Sequence, residues 1–126
     1  MASTAPDDVE MVEHQGYWEA RYLGSYTMAR YKKQMEVSVQ ACVDKKATLL
    51  LVDIRRLAGF TPSTQERYEF GRYGAQISRD LDRVSIVGHA DQIDTEQFAT
   101  MVARNRGLKV RAFTDTKAAV AWLLNG

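Results

Sequence analysis

Asp53, Arg55, Arg56, Thr61, Ser63 and His89 are the residues whose types and spacing suit a binding or reacting site, with Phe60 beside them as an apolar wall. Asp53 closes the apolar run Leu49–Asp53, so its carboxylate lies at a strand end, where open α/β sheets place their sites. There it can hold a ligand or form a charged rim with Arg55 or Arg56. The preferred reading is plainer: a structural acid accepting N–H groups of the following loop. No second carboxylate stands at a fixed spacing from it, so a general acid/base pair is not indicated. Arg55 and Arg56 suit an anion beside the helix start at Thr61-Pro62, where free N–H groups face outward. A solvated arginine, or one paired with a surface acid, is the commoner outcome. His89 ends a later strand on the same side of the sheet. No cysteine, serine motif or third group completes a triad around it, and a partly exposed loop histidine is the simpler assignment.

Other chemistries find no support. Two histidines and one cysteine without short spacing give no zinc pattern. Gly59 precedes a helix without a following Gly-Lys-Ser/Thr, and no Gly-x-Gly-x-x-Gly occurs. No metal and no cofactor are expected. Tyr26, Met28, Tyr31 and Met35, with Phe60, Tyr68 and Phe70, form a large aromatic and thioether set. Core packing is its first use, and an adaptable pocket or interface its second.

The elements that must position these groups follow from periodicity. Residues 1–8 are small, polar and acidic and are expected to be frayed, leaving 9–126 as the domain. Val9–His14 and Tyr17–Leu23 are β-type runs around Gln15-Gly16, a hairpin. The alternation of Trp18, Ala20 and Tyr22 with Tyr17, Glu19 and Arg21 places the second run near the sheet edge. From Met28, apolar residues recur at threes and fours to about Lys45-Lys46, with Ser25 or Thr27 as the cap. Leu49–Asp53 lacks alternation and so must be covered on both faces. Thr61-Pro62 predicts a helix start, with Ser63 and Glu66 as an alternative capping box, and that helix runs to about Asp80. Gly71 and Gly74 each cost it roughly 1 kcal/mol of propensity, which implies a close approach there. Arg83–His89 is the next buried strand. Asp94 with Gln97 in the box position opens a helix carrying Phe98, Met101, Val102 and Asn105, and Gly107 closes it. Leu108–Phe113 is the last strand, and Thr114 or Asp115 caps a final helix through Trp122 and Leu123. Successive βα units give parallel strands with right-handed crossovers. The order β-β-α-β-α-β-α-β-α is that of a single-domain α/β sandwich.

Composition bounds the rest. The chain has 126 residues, 45% hydrophobic and 26% charged, enough for one core without disulfide or metal. A net charge of +1 gives no bulk pull toward nucleic acid, which is not expected as a partner. Cys42 is alone and falls on an apolar helical face. No signal peptide is read, and no apolar segment approaches the roughly 20 residues of a membrane span. Cytoplasmic residence is the default expectation.

Three segments together resemble the SpoIIAA-like group of the STAS and Sec14-like class of small α/β domains. They are Leu50–Pro62 with its Gly-Phe-Thr-Pro ending, Asp80–Gly88, and Arg111–Leu123 with its closing Ala-x-x-Trp-Leu pattern. The resemblance implies a mixed five-stranded sheet flanked by four helices. It also implies a non-enzymatic regulator of the anti-sigma-factor-antagonist type. Some relatives are switched on a serine at the helix after the central strand, in an Asp-Ser-Ser-Gly motif. Here Thr61-Pro62-Ser63-Thr64 stands at that distance from Asp53, so the motif is missing while hydroxyls remain. Membrane contact by the helix after the fourth strand is another implied property. Asp94–Arg106 departs from it, with Phe98 the only aromatic and Asp94, Glu96, Gln97 and Asn105 polar.

The leading expectation is therefore a non-catalytic regulatory or protein-interaction module. The alternative is a carrier of a small apolar or lipid-like ligand, and an enzyme comes third. A twofold homodimer is expected through Tyr17–Leu23 as an edge strand and the aromatic first helix. The recognition surface is placed at the rim of Asp53, Arg55, Arg56, Phe60, Thr61, Ser63 and His89, which suits a protein partner or a small apolar or anionic ligand. Replacing Asp53 and Arg56 by alanine is expected to abolish capture at nearly unchanged stability.

Overall fold

The apolar run Leu49–Asp53 is a strand buried along nearly its whole length, with helices on both sides, as its lack of alternation requires. The computed structural model describes residues 2–5, 8–94 and 97–126. Its elements are β1 (Ala2–Ala5), β2 (Val9–His14), β3 (Tyr17–Tyr22), α1 (Met28–Asp44), β4 (Leu49–Asp53) and α2 (Thr64–Ile77). Then come β5 (Arg83–Val87), α3 (Phe98–Asn105), β6 (Val110–Phe113) and α4 (Thr116–Asn125). The strands lie in sequence order, antiparallel from β1 to β3 and parallel from β3 to β6. β2 to β6 with the four helices are the mixed five-stranded α/β sandwich expected.

Two expectations are corrected at the sheet's near end. The composition of residues 1–8 implies a frayed end, but Ala2–Ala5 pairs antiparallel with Val9–Val12 and makes a sixth strand. β2 would otherwise leave a row of peptide groups unpaired at an edge, and small residues can fill that place. Met1, Pro6, Asp7, Thr95 and Glu96 lie outside the described residues. The segment Tyr17–Leu23 is no edge strand, since β3 stands between β2 and β4. Its alternation has a different origin: Ala20 and Tyr22 face α1, while Glu19 and Arg21 lie on the opposite face, where they pair with each other and with His14 and Glu10. The edge-strand argument for a homodimer falls with that placement.

Helix ends follow side-chain chemistry. Thr27 caps α1 by accepting the Arg30 N–H at 3.1 Å. Of the two starts open for α2, the later one forms: the Ser63 hydroxyl accepts the Glu66 N–H, and Glu66 accepts the Ser63 N–H, at 3.1 and 2.9 Å. α2 stops at Ile77, short of Asp80. α3 begins at Phe98 rather than behind Asp94. Gln97 adopts left-handed backbone (φ 49°) and makes no side-chain cap, while the Asp94 carboxylate accepts the Phe98 N–H at 3.2 Å. Gly71 has the close approach its type implied: a Cβ there would collide with the Ala99 carbonyl oxygen.

α1, α2 and α3 cover one face of the sheet, and α4 alone covers β4 to β6 on the other.

Candidate functional site

Parallel pairing brings the ends of four strands to one edge: Arg21 pairs with Asp53, Asp53 with Val87, and Val87 with Phe113. The β4–α2 turn leaves this edge. Asp53 is 1% exposed, yet its carboxylate is fully engaged. Oδ1 accepts the Arg55 N–H and Nε–H, both at 3.0 Å. Oδ2 accepts Arg55 Nη2–H at 2.9 Å and Arg56 Nη1–H at 3.4 Å. Burial pulls the carboxyl pKa upward, but the bonds from Arg55 outweigh it and hold the group below the ordinary aspartate value. The same bonds raise the Arg55 pKa. Asp53 is thus the structural acid that sequence reasoning preferred, and its burial revises one expectation: alanine at Asp53 strands Arg55 and loosens the turn. Both guanidinium groups keep one side in water, Arg56 more than Arg55.

The rim divides into two groups. Asp53, Arg55 and Arg56 lie toward the open part of the sheet, where Glu19 and Arg21 contribute to the electrostatics of Arg55. There Arg21 donates to Glu10 and Glu19, both at 3.0 Å, and His14 Nε2 stands 2.7 Å from Glu19. This cross-strand network was missed. Its signal was the pairing of Glu10 with Arg21, which a hairpin about Gln15-Gly16 dictates.

The other group faces the helical layer. Phe60 is buried against Tyr26 and Tyr31, with ring centroids 5.1 and 5.2 Å away, and Arg67 lies over its ring at 5.9 Å. Thr61 is exposed ahead of α2. The Ser63 hydroxyl is occupied by its capping box, and a phosphate on it would meet the Glu66 carboxylate. His89 is exposed on the β5–α3 loop, and among the described residues its side chain makes no hydrogen bond or ion pair with Asp53, Arg55 or Arg56. What joins the two loops is Gln92, a residue with no sequence signal. Its Nε2 donates to the Ile54 carbonyl at 2.8 Å, and its Oε1 accepts the His89 N–H at 2.8 Å.

Behind Phe60 lies an apolar cavity of about 110 Å³ between the sheet and the three helices. Leu50, Val52, Val84 and Ile86 form its floor, and Met35 and Phe70 stand opposite. Arg67, Gln92, Asp94 and Gln97 are among its polar borders. The aromatic and thioether set therefore serves first as core. Cys42 is buried and its thiol is pushed up to about 12 by burial, which keeps it protonated and unreactive near neutrality. Among the described residues no group of three or more histidine, cysteine, aspartate or glutamate side chains is arranged to hold a metal ion. Among them, too, no helix is long and apolar enough to cross a membrane.

A family model described as SpoIIAA-like matches residues 17–124. An uncharacterised protein with a SpoIIAA-like fold from Shewanella loihica PV-4, of the DUF3478 family, is similar in structure, with TM-score 0.57 and 22% identity. That match covers 98% of this chain and 95% of the other. An anti-sigma factor antagonist from Mycobacterium paratuberculosis is similar with TM-score 0.58 and 15% identity, over 96% of this chain and 98% of the other. At these identities the likeness is one of fold. No curated protein matches the chain.

Proposed function

The chain belongs to the SpoIIAA-like family, and we propose that it is a non-catalytic regulatory module that binds a protein partner at the carboxyl edge of its sheet. The observation that carries this reading is the role of Asp53. The buried carboxylate of that edge holds two arginine side chains at the surface and is not left free to move a proton. Arg56 and Thr61 are exposed on the turn that leaves this edge, where polar groups of this kind suit the rim of a protein interface. One similar structure is that of an anti-sigma factor antagonist, a role of the proposed kind. The serine switch is not part of the proposal, because Ser63 is committed to its helix cap. Cytoplasmic residence belongs to the same reading. So does the absence of catalysis, of a cofactor and of nucleic acid as partner.

The test pairs Arg56→Ala with Thr61→Tyr, two exposed positions, in affinity capture read by quantitative mass spectrometry. A partner retained by the parent and lost by the double variant, at unchanged thermal midpoint, is the expected result. Equal capture by both proteins removes the rim as the surface.

A second reading rests on the cavity. A volume of this order suits a ring-sized apolar molecule rather than a long acyl chain. Native mass spectrometry decides it. A small co-purified mass that disappears in Val84→Ile, which extends a lining side chain, supports the carrier, and an unliganded mass from several hosts counts against it.

A further inference from the structure

A groove of about 870 Å³ runs between the starts of β5 and β6 and the last turn of α4. Arg83, Arg104, Lys109 and Arg111 line it with Trp122, and no aspartate or glutamate does. Strand alternation brings three of the cations together. Val84 and Val110 pair with each other and face the layer of α1 to α3, so Arg83, Lys109 and Arg111 fall on the α4 side. Phe113, two residues beyond Arg111, packs with Ala119 and Leu123, and the Arg111 guanidinium lies 5.8 Å from its ring. Neighbouring strands stand about 4.8 Å apart and alternate residues of one strand about 6.7 Å apart, which puts the three within reach of one ligand.

Arg83 is fixed by donating to the Leu123 carbonyl at 2.8 Å, and so masks the negative end of α4 from an anion. Arg104, Lys109 and Arg111 are exposed. Among the described residues none of the four is in an ion pair, although Gly126 lines the groove too. Like charges set side by side in a ladder repel, and a groove lined by one sign concentrates its field. In a chain of net charge +1 this concentration is local.

The strand edge beside the groove is closed to a peptide. Val110 is 3% exposed, and at Ala112 the Gln97 amide takes both peptide groups. Its Oε1 accepts the Ala112 N–H at 3.3 Å and its Nε2 donates to the Ala112 carbonyl at 3.4 Å. An occupant is therefore held by side chains alone, which favours a compact group of dense charge over an extended chain. A nucleic acid spreads its phosphates along a track, whereas these cations crowd one corner.

We propose that this corner binds an oligophosphate group, independently of the partner surface at the carboxyl edge. An arginine fork takes two oxygens of one phosphate, and a lysine takes another as a point charge. Arg83 supplies a cation already in place, and Arg104, Lys109 and Arg111 close on the anion from the β6 side. Trp122 leaves an apolar flank for the group that carries the phosphates.

Titration of the isotope-labelled chain with sodium tripolyphosphate, followed by NMR, tests the proposal. Saturable shifts are expected at Lys109, Arg111 and the Trp122 indole N–H. They weaken in the order tripolyphosphate, pyrophosphate, phosphate, and with added salt. Arg111→Gln, at an exposed position, weakens binding by about tenfold at unchanged thermal midpoint. Absence of saturation, shifts centred on the carboxyl edge, or equal binding by the Lys109→Gln, Arg111→Gln double variant would overturn it. A Glu-Gly octapeptide or oligothymidylate that binds more tightly than tripolyphosphate overturns it too, in favour of an acidic protein or a nucleic acid. Soluble inositol phosphates set against vesicles bearing phosphoinositides separate the two sources of such a group. Binding of either supports the site, and rejection of both counts against it.

Discussion

On one face of the sheet Leu50, Val52 and Val84 meet three helices across a layer that still encloses a cavity. On the other, Leu51 and Val87 meet only α4, through Ala119 and Leu123, which are fully buried. The same strands build both layers. The difference comes from the helices: α2 packs mainly on α3 and α1 rather than on the strands, and aromatic rings prop it up. α4 is rich in alanine and comes straight down onto β4 and β5. A layer supported by large rings tolerates a void at its centre, whereas one built on small residues is filled by contact. The internal void therefore belongs to the first face and the closer fill to the second.

The strongest way to break the contrast is at the α2–α3 seam. Gly71→Ala sets a methyl against the Ala99 carbonyl and the Val102 side chain, and no rotamer relieves a backbone contact. A loss of about 3 kcal/mol is expected in urea unfolding, with the cavity face loosened first in hydrogen exchange.

Next is Asp53→Asn, at the end of β4. The folded carboxyl titrates below its ordinary value, so its stabilisation is present above that value and is lost as pH falls through the folded pKa. Asn should cost about 2 kcal/mol at neutral pH and flatten the acid limb of the stability profile, followed by circular dichroism. Equal acid limbs in both proteins would deny Asp53 its role.

A matched pair sharpens the comparison. Ala119→Val crowds the filled face and is expected to cost about 2 kcal/mol, while Val84→Ile on the cavity face costs less than about 1 kcal/mol or stabilises. Thermal midpoints that fall equally would mean that both faces are equally full.

The smallest effect is at Ser85, buried on the α4 side of β5 with no hydrogen-bond partner for its hydroxyl among the described residues. Ser85→Ala should be neutral or stabilising by up to about 1 kcal/mol in the same assay. A clear loss would reveal a partner for the hydroxyl.

Much of this architecture was legible in the residues. The unbroken run Leu49–Asp53 required two covered faces, Gln15-Gly16 required a hairpin, and Gly71 marked the seam where a second helix comes within backbone distance. Each of these rests on local stereochemistry or on the burial period of one element. The rim was legible only as a list. Asp53 was legible as an acceptor of loop N–H groups because the loop follows it directly, whereas its bonds to the Arg55 guanidinium depend on how the turn folds back. His89 and Phe60 depend on where separate elements come to rest, and they turn to different surroundings.

What the sequence by itself determined is the elements from β2 to α4 and their order, because propensity, capping and periodicity act over a few residues. Only the tertiary structure decided that Ala2–Ala5 joins the sheet and that β3 lies inside it, because strand neighbours are chosen by pairing across the whole chain. It alone decided that Gln97 leaves its predicted capping role to close part of the β6 edge. An amide can satisfy a helix start or a strand edge equally well, and the backbone groups left unpaired nearby select between them.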